Sequence, residues 1–452
     1  MKRIAIRSGA IWLLVLVLVG GLSFFLFEYL AYGNQWVISP GSPHIYNGDN
    51  INTGVVVDRD GVLLLDTSGD RTYAQDPELR KAMIHWLGDR DGYISAPAIA
   101  TYAKEMAGYD LLTGLYSDSG GRAQLTLSSR LQLVAQEAME GRKGTVALYN
   151  YRTGELLCAL TTPNYDPDEV PDLSQDLDGE YEGVYMNRFT QSVYIPGSIF
   201  KIVTTAAALE EIDDIREQTF KCTGTQEYGK YDVTCEKKHG TLTFESAMAQ
   251  SCNCAYAQIV EQLGAETLQK YVKQYNVTQR LYFDGVTTAA GNFDLTDATP
   301  VQIAWGGIGQ HNDQINPARF LTFMGAIAND GVEVMPHVMQ RITNSDRQTY
   351  RAKATTGDRI MSQKAAQELQ QMMRNNVVEK YGVDSFPDLT VCAKTGTAQV
   401  GGEKEANAMF AGFVLDEDYP IAFFAAVEDS GYGSKVCIPI ISKLLETCME
   451  VM

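Results

Sequence analysis

Pro196-Gly197-Ser198-Ile199-Phe200-Lys201-Ile202-Val203-Thr204-Thr205-Ala206-Ala207-Ala208-Leu209 is the stretch from which the rest of the chain can be read. Pro-Gly interrupts the chain, and from Ser198 onward nearly every position is apolar apart from Lys201 and two threonines. That pattern predicts a buried helix beginning at Ser198. Three residues are just under one helical turn, so Ser198 and Lys201 share a face, with the serine at the positive helix end. A lysine on a buried helix is costly as an isolated cation; it is paired or loses its proton readily, and a neutral amine is a competent base. Taken alone, S-x-x-K is also what a capping serine and a snorkelling lysine produce.

Two further elements follow. Ser251-Cys252-Asn253 lies between the helical runs TFESAMAQ and AYAQIVEQLG, so a hydroxyl and an amide sit at a helix junction, as relay and carbonyl ligand or simply as caps. Lys394-Thr395-Gly396-Thr397 ends a strand-like run. There the glycine admits a ligand close to the backbone, and the lysine with two hydroxyls can grip a carboxylate. Each element has a bland reading, but S-x-x-K, S-x-N and K-T-G occur once each, in this order.

Outward from these motifs, Ser129 to Glu140 has the spacing of an amphipathic helix behind a serine cap. Gly144 to Tyr149 and Glu155 to Thr161 read as a hairpin across a polar turn. Residues 166–182 carry eight carboxylates and read as a solvated loop, without the residue order of an EF-hand calcium site. Signals from Ser198 to about Pro300 are mainly helical. Leu389 to Val400, Ala408 to Leu415 and Ile421 to Glu428 are β-type runs, and a helix from about Val436 ends the sequence. Strands at both ends of residues 131–452, with helices between, predict an α+β domain whose terminal strands meet in an antiparallel sheet.

At the other end, Lys2, Arg3 and Arg7 precede an uncharged stretch from Ser8 to Phe27, long enough to span a bilayer core as a helix. Basic residues before it and a net acidic chain after it place the N-terminus inside and the bulk outside the membrane. A cleaved signal peptide is the alternative, but only Leu30-Ala31-Tyr32 offers a cleavage site nearby. The linker from Gly33 to Asn52 is rich in Gly, Pro, Asn and Ser; Thr53 to Leu65 then forms two apolar runs around Arg59-Asp60-Gly61, a hairpin signature. With 452 residues, 45% hydrophobic, the chain can bury more than one domain, and a net charge of −19 excludes nucleic acid as a partner. Cys158, Cys392, Cys437 and Cys448 sit in apolar runs as buried thiols. Cys222 and Cys235 flank a hairpin-like segment and are expected as a local disulfide; the rival is a structural zinc site of Cys222, Cys235, His239 and Cys252.

The trio of motifs resembles that of the penicillin-binding proteins and serine β-lactamases. The likeness extends through LTLSSRLQLVAQEAM, GTVALYNYRTGELLCALTTPNYDP, NRFTQSVYIPGSIFKIV, HGTLTFESAMAQSCN, GIGQHNDQINPARFLTFMGAIANDG and AKTGTAQV, most of residues 122–430. Val57-Asp58-Arg59-Asp60-Gly61 resembles the start of the pedestal in class B penicillin-binding proteins. Thr53, Asn316 and Met409 depart from the usual arginine, threonine and tryptophan. The resemblance implies an α+β transpeptidase domain with a central antiparallel sheet of about five strands flanked by helices, plus an all-helical subdomain. It divides the chain into a cytoplasmic N-terminus (1–8), a transmembrane anchor (9–31), a linker and pedestal (32–121) and the transpeptidase domain (122–452).

By the same resemblance Ser198 is the nucleophile of a D,D-transpeptidase acting on peptidoglycan stem peptides, Lys201 its base, and Ser251 a proton relay. Asn253, Lys394, Thr395, Gly396 and Thr397 bind substrate, and the Ser198 and Thr397 N–H groups form an oxyanion hole. No catalytic metal and no required cofactor are implied. β-Lactams acylate the same serine, and the implied partner is a membrane-embedded glycosyltransferase of the shape, elongation, division and sporulation family. The competing readings are a D,D-carboxypeptidase, a β-lactamase and a catalytically silent cell-wall scaffold.

Overall fold

The computed structural model describes residues 2–37, 46–47, 50–51, 54–107, 109–110, 114–115, 120–345, 347–399, 401 and 405–452. Thr53 and most of the expected linker lie outside the described residues.

The expected strands form one five-stranded antiparallel sheet, ordered Leu156–Thr162, Gly144–Asn150, Ile421–Val427, Asn407–Val414, Val391–Ala398. Four of them, Gly144–Asn150, Leu156–Thr162, Asn407–Val414 and Ile421–Val427, are buried at every position, which explains their near-continuous apolar runs. Alternate residues serve opposite faces. Ala147, Tyr149 and Phe424 pack with Phe320 and Phe323 of helix Pro317–Ala328. Val146, Leu148 and Phe423 pack with Leu131 of helix Ser129–Met139 and Leu444 of the terminal helix Gly433–Val451. The approach is close: a Cβ on Gly325 would stand 1.7 Å from the Tyr149 hydroxyl oxygen.

Between the hairpin and the last three strands lies the helical part, with Lys201–Glu211, Asn253–Leu263, Ala265–Gln274, Pro300–Ile308 and Gln363–Asn376. It is not purely helical. The pairs Thr219–Cys222 with Gly240–Thr243 and Thr225–Tyr228 with Tyr231–Thr234 insert small β-elements before the Ser-x-Asn junction.

A second sheet of six strands runs Arg347–Arg351, Met339–Asn344, Arg122–Leu125, Val55–Val57, Leu63–Asp66, Thr72–Tyr73. Val55–Val57 lies parallel to Arg122–Leu125, and the other pairings are antiparallel. The expected boundary near residue 122 therefore falls inside a sheet that recruits strands from beyond residue 338. The hairpin at Arg59-Asp60-Gly61 forms as expected, its turn held by Asp58 Oδ1, which accepts from the Asp60 and Val62 N–H groups.

Residues 166–182 do not form a uniformly solvated loop. Asp166 is buried against Arg80 (2.6 Å), which holds its carboxyl below the usual range although burial pushes the other way. Asp168 pairs with Arg90 at 2.6 Å. Two of the eight carboxylates thus tie this segment to the N-terminal module.

The departure at Asn316 also has a structural reason. Its Oδ1 caps helix Pro317–Ala328 by accepting from the Arg319 N–H, while its Nδ2 donates to the Thr190 and Ser192 carbonyls. A threonine could make the first contact but not the other two.

At the N-terminus Lys2–Val37 is one helix, and Arg3–Gly33 is long and apolar enough to cross a membrane. Its apolar side chains from Ile4 to Phe27, among them Trp12, Leu16 and Phe24, are exposed.

Candidate active site

The helix expected from Ser198 begins with a tighter turn. Gly197–Phe200 is a 3-10 turn and the α-helix runs from Lys201 to Glu211. Gly197 has φ +53, and a Cβ there would meet the Thr397 carbonyl oxygen at 2.6 Å. Glycine is needed both for the positive φ and for the approach of this turn to the edge strand Val391–Ala398. Gly396 approaches from the other side, its Cβ position lying 3.0 Å from the Pro196 carbonyl oxygen.

The turn leaves Ser198 half-buried and puts Lys201 wholly inside. Lys201 Nζ donates to Ser198 Oγ (3.2 Å), Ser251 Oγ (3.1 Å), the Ser251 carbonyl (2.7 Å) and Asn253 Oδ1 (2.7 Å), and lies 5.3 Å from the centre of the Tyr256 ring. No carboxylate is among these partners. Burial draws the Lys201 amine down from its ordinary value to about 8.

Ser251 sits between helices Phe244–Ala249 and Asn253–Leu263 with φ +52, an uncommon conformation for serine. Its hydroxyl bridges two lysines, since Lys394 Nζ approaches Ser251 Oγ at 3.1 Å and also donates to the Thr395 carbonyl at 2.9 Å. Burial lowers the Lys394 amine well below its ordinary value, and the positive charges of Lys201 and Lys380 add to the effect.

Six of the eight expected site residues thus converge: Ser198, Lys201, Ser251, Asn253, Lys394 and Gly396. Thr397 lies on the same edge beside the Ser198 turn. Thr395 is engaged elsewhere, its N–H donating to the Tyr381 hydroxyl (2.9 Å) and its Oγ1 lying 3.1 Å from the same oxygen. Tyr381 was not singled out by sequence reasoning, nor was Gly309, which accepts from the Gly197 N–H and whose Cβ position would fall 2.3 Å from the Gly197 carbonyl oxygen.

The cysteines resolve differently from the expected pairing. All eight are free thiols, so the expected Cys222–Cys235 disulfide is absent. Cys222 Sγ faces His239 Nδ1 at 3.4 Å, and Cys235 Sγ faces Cys252 Sγ at 3.7 Å. The ligand atoms of Cys222, Cys235, His239 and Cys252 all lie within 4.8 Å of one another. Cys252 is the middle residue of Ser-x-Asn, and Asn253 Nδ2 donates to the carbonyl of Thr234, the neighbour of Cys235 (2.8 Å).

A serine hydroxyl within hydrogen-bond reach of a buried amine, a second buried lysine and a strand edge paired on one side only are the parts that a serine acyl-transfer centre requires. Residues 144–446 match the penicillin binding protein transpeptidase domain, and the chain belongs to that family. It is 25% identical over 412 residues to stage V sporulation protein D of Bacillus subtilis, covering 86% of this chain and 60% of that protein. It is likewise 25% identical over 351 residues to the peptidoglycan D,D-transpeptidase PbpA of Mycolicibacterium smegmatis, covering 71% and 70%. The fold superimposes on the D,D-transpeptidase domain of a peptidoglycan glycosyltransferase from Eggerthella lenta with a TM-score of 0.76 and 25% identity, over 88% of this chain and 98% of the other.

Proposed function

We propose that the protein is a peptidoglycan D,D-transpeptidase. The observation that carries this reading is Lys201 Nζ, buried without a counter-ion and 3.2 Å from Ser198 Oγ. Lys201 takes the Ser198 proton as the oxygen attacks the carbonyl of a D-Ala-D-Ala bond, and the Ser198 and Thr397 N–H groups hold the resulting oxyanion. Ser251, hydrogen-bonded to both lysines, returns the proton to the leaving D-alanine. The acyl-enzyme is then taken by an amine of a neighbouring stem, which expels Ser198 Oγ and forms the cross-link. Lys394 and Thr397 bind the terminal carboxylate, with Thr395 and Gly396 shaping that strand, and Asn253 holds the peptide.

Assigning the base to Lys201 rather than Lys394 follows from their partners. An incoming carboxylate restores the charge of Lys394, whereas Lys201 faces only hydroxyl, carbonyl and amide oxygens. β-Lactams, which carry a carboxylate beside a reactive amide, acylate the same serine.

The N-terminal helix anchors the chain as a single-pass protein with residues 1–8 cytoplasmic, 9–31 in the bilayer, and the pedestal (32–121) and transpeptidase domain (122–452) outside. The strand supplier is a membrane glycosyltransferase of the shape, elongation, division and sporulation family, docking on the anchor and pedestal. Cys222, Cys235, His239 and Cys252 would hold a structural zinc ion. A tetrahedral site with Zn–S near 2.3 Å and Zn–N near 2.05 Å has edges of about 3.8 Å between sulfurs and about 3.6 Å between sulfur and nitrogen. The Cys235–Cys252 and Cys222–His239 separations of 3.7 and 3.4 Å support this assignment.

The test is to label the full-length chain, in detergent, with a fluorescent penicillin beside a Ser198→Ala variant. A stable covalent band lost in the variant is expected. No band from folded wild-type protein would favour a silent scaffold, and rapid turnover a β-lactamase. Product analysis with an added amine acceptor separates transpeptidation from hydrolysis.

A further inference from the structure

The edge strand Val391–Ala398 pairs with Asn407–Val414 on one side only, in unbroken antiparallel register. Odd-numbered residues therefore turn their backbone groups outward. An uncovered edge of this kind invites any extended chain to pair with it anywhere along its length. Here the outward groups are met in succession by side chains. Arg374 donates to the Val391 carbonyl (3.1 Å), Asn376 to the Ala393 carbonyl (3.0 Å) and Lys394 to the Thr395 carbonyl (2.9 Å), while the Tyr381 hydroxyl accepts from the Thr395 N–H (2.9 Å). Among the described residues no side chain meets the N–H and C=O of Thr397, the next outward position.

Tyr381 reaches the strand through a local irregularity. The α-helix Gln363–Asn376 gives way to a π-helical turn, Val377–Tyr381, which stops at Gly382 with φ +81. Such a turn carries an extra residue, is rare, and is frequent at functional sites. Tyr381 itself is half-buried with its ring edge-on to Phe410 of the neighbouring strand, desolvation raises its phenol pKa, and its hydroxyl also lies within hydrogen-bond distance of Thr395 Oγ1.

We propose that Tyr381 is a positioning residue for acyl transfer: by occupying the outward edge at Thr395 it fixes where substrate pairing starts, so that an extended peptide joins the sheet only at Thr397 and its reacting carbonyl falls between the Thr397 N–H and Ser198. Arg374 and Asn376 close the rest of the edge and belong to the same device. The inference deepens the transpeptidase reading and rests on it.

The test compares the full-length chain with Tyr381→Phe, which deletes one oxygen. The rate of acylation by a fluorescent penicillin is expected to fall about tenfold, the order of cost attached to sub-ångström misplacement of reacting groups. The infrared carbonyl band of a carbon-13-labelled acyl-enzyme is expected to move to higher wavenumber as the oxyanion-hole bond weakens. A merely structural tyrosine would lower the melting temperature and leave both readouts of the folded protein unchanged, which overturns the proposal. Should the variant not fold, single-residue amide exchange on the wild-type protein decides: Thr395 protected and Thr397 exchanging before acylation, with Thr397 protected afterwards. Thr397 protected before any ligand is added overturns it. If the wild-type serine is never acylated, the transpeptidase reading fails instead, and the exchange pattern of the unliganded chain still reports whether the edge opens at Thr397.

Discussion

The pH dependence of acylation should follow the proton on Lys201. Its amine is buried, is drawn to about 8, and must be neutral to accept the Ser198 proton. A base of that pKa is about 1% neutral at pH 6 and about 90% neutral at pH 9, so the acylation rate constant should climb roughly ninetyfold over that interval and level off above it. The charged group that shares Ser251 with it, Lys394, also titrates low. Measuring at saturating penicillin keeps Lys394 paired with the ligand carboxylate, so that the limb reports Lys201 in the complex. Stopped-flow fluorescence between pH 6 and pH 9.5 provides the profile, using a penicillin with no titrating group in that range. Lys201→Ala should lose the limb and fall by about 10²–10⁴, the usual contribution of a positioned base. A flat wild-type profile, or a limb that persists in Lys201→Ala, would refute the assignment.

Three other perturbations probe separate features. Gly197→Ala should cut acylation at least about a hundredfold, because its Cβ must displace the Thr397 carbonyl from 2.6 Å; labelling rates of the folded variant check this. Arg319→Leu strands the carboxylate of Glu333, both partners being buried, and urea unfolding should show a loss of about 3–5 kcal/mol, whereas a loss under about 1 kcal/mol would mean Glu333 finds other partners or protonates. Elemental analysis should find about one zinc per chain, and a strong chelator or Cys252→Ser should lower both the melting temperature and the labelling rate, since Cys252 lies between Ser251 and Asn253; a metal-free chain labelling at full rate counts against the site.

What the amino-acid order revealed divides along physical lines. The five-stranded sheet was legible because its strands are buried on both faces and so leave long apolar runs, as in Ile421–Val427. The candidate site was legible because the chemistry proposed for it needs particular side chains, two of them at helical spacing. The six-stranded sheet was not: Arg122–Leu125 is short and only alternately buried, and it pairs with Met339–Asn344 across more than half the catalytic region. No local pattern announces such a partner. Asp166 was read as solvated because a carboxylate cluster usually is, and only the tertiary placement of Arg80 reverses that. The cysteines misled for a related reason, since two thiols flanking a hairpin suggest a local bridge, while Cys252 and His239 arrive from outside it. Tyr381 is one tyrosine among 24, and nothing in its immediate neighbours marks the turn that aims it.

The order of strands in the central sheet has a consequence for how the molecule comes into being. Gly144–Asn150 has Leu156–Thr162 on one side, but its other neighbour, Ile421–Val427, is synthesised long after it. Closing an interval of roughly 270 residues adds little to the equilibrium cost, which grows only with the logarithm of its length, but it delays the event. Ser198, Lys201 and Ser251 are thus all in existence well before Thr397 can stand beside them. A growing chain carries the proposed nucleophile and base without the proposed oxyanion hole, and a chain ending short of residue 391 is expected to keep both motifs of the helical part yet remain inert. On the proposed roles, the site is complete only when the sheet closes.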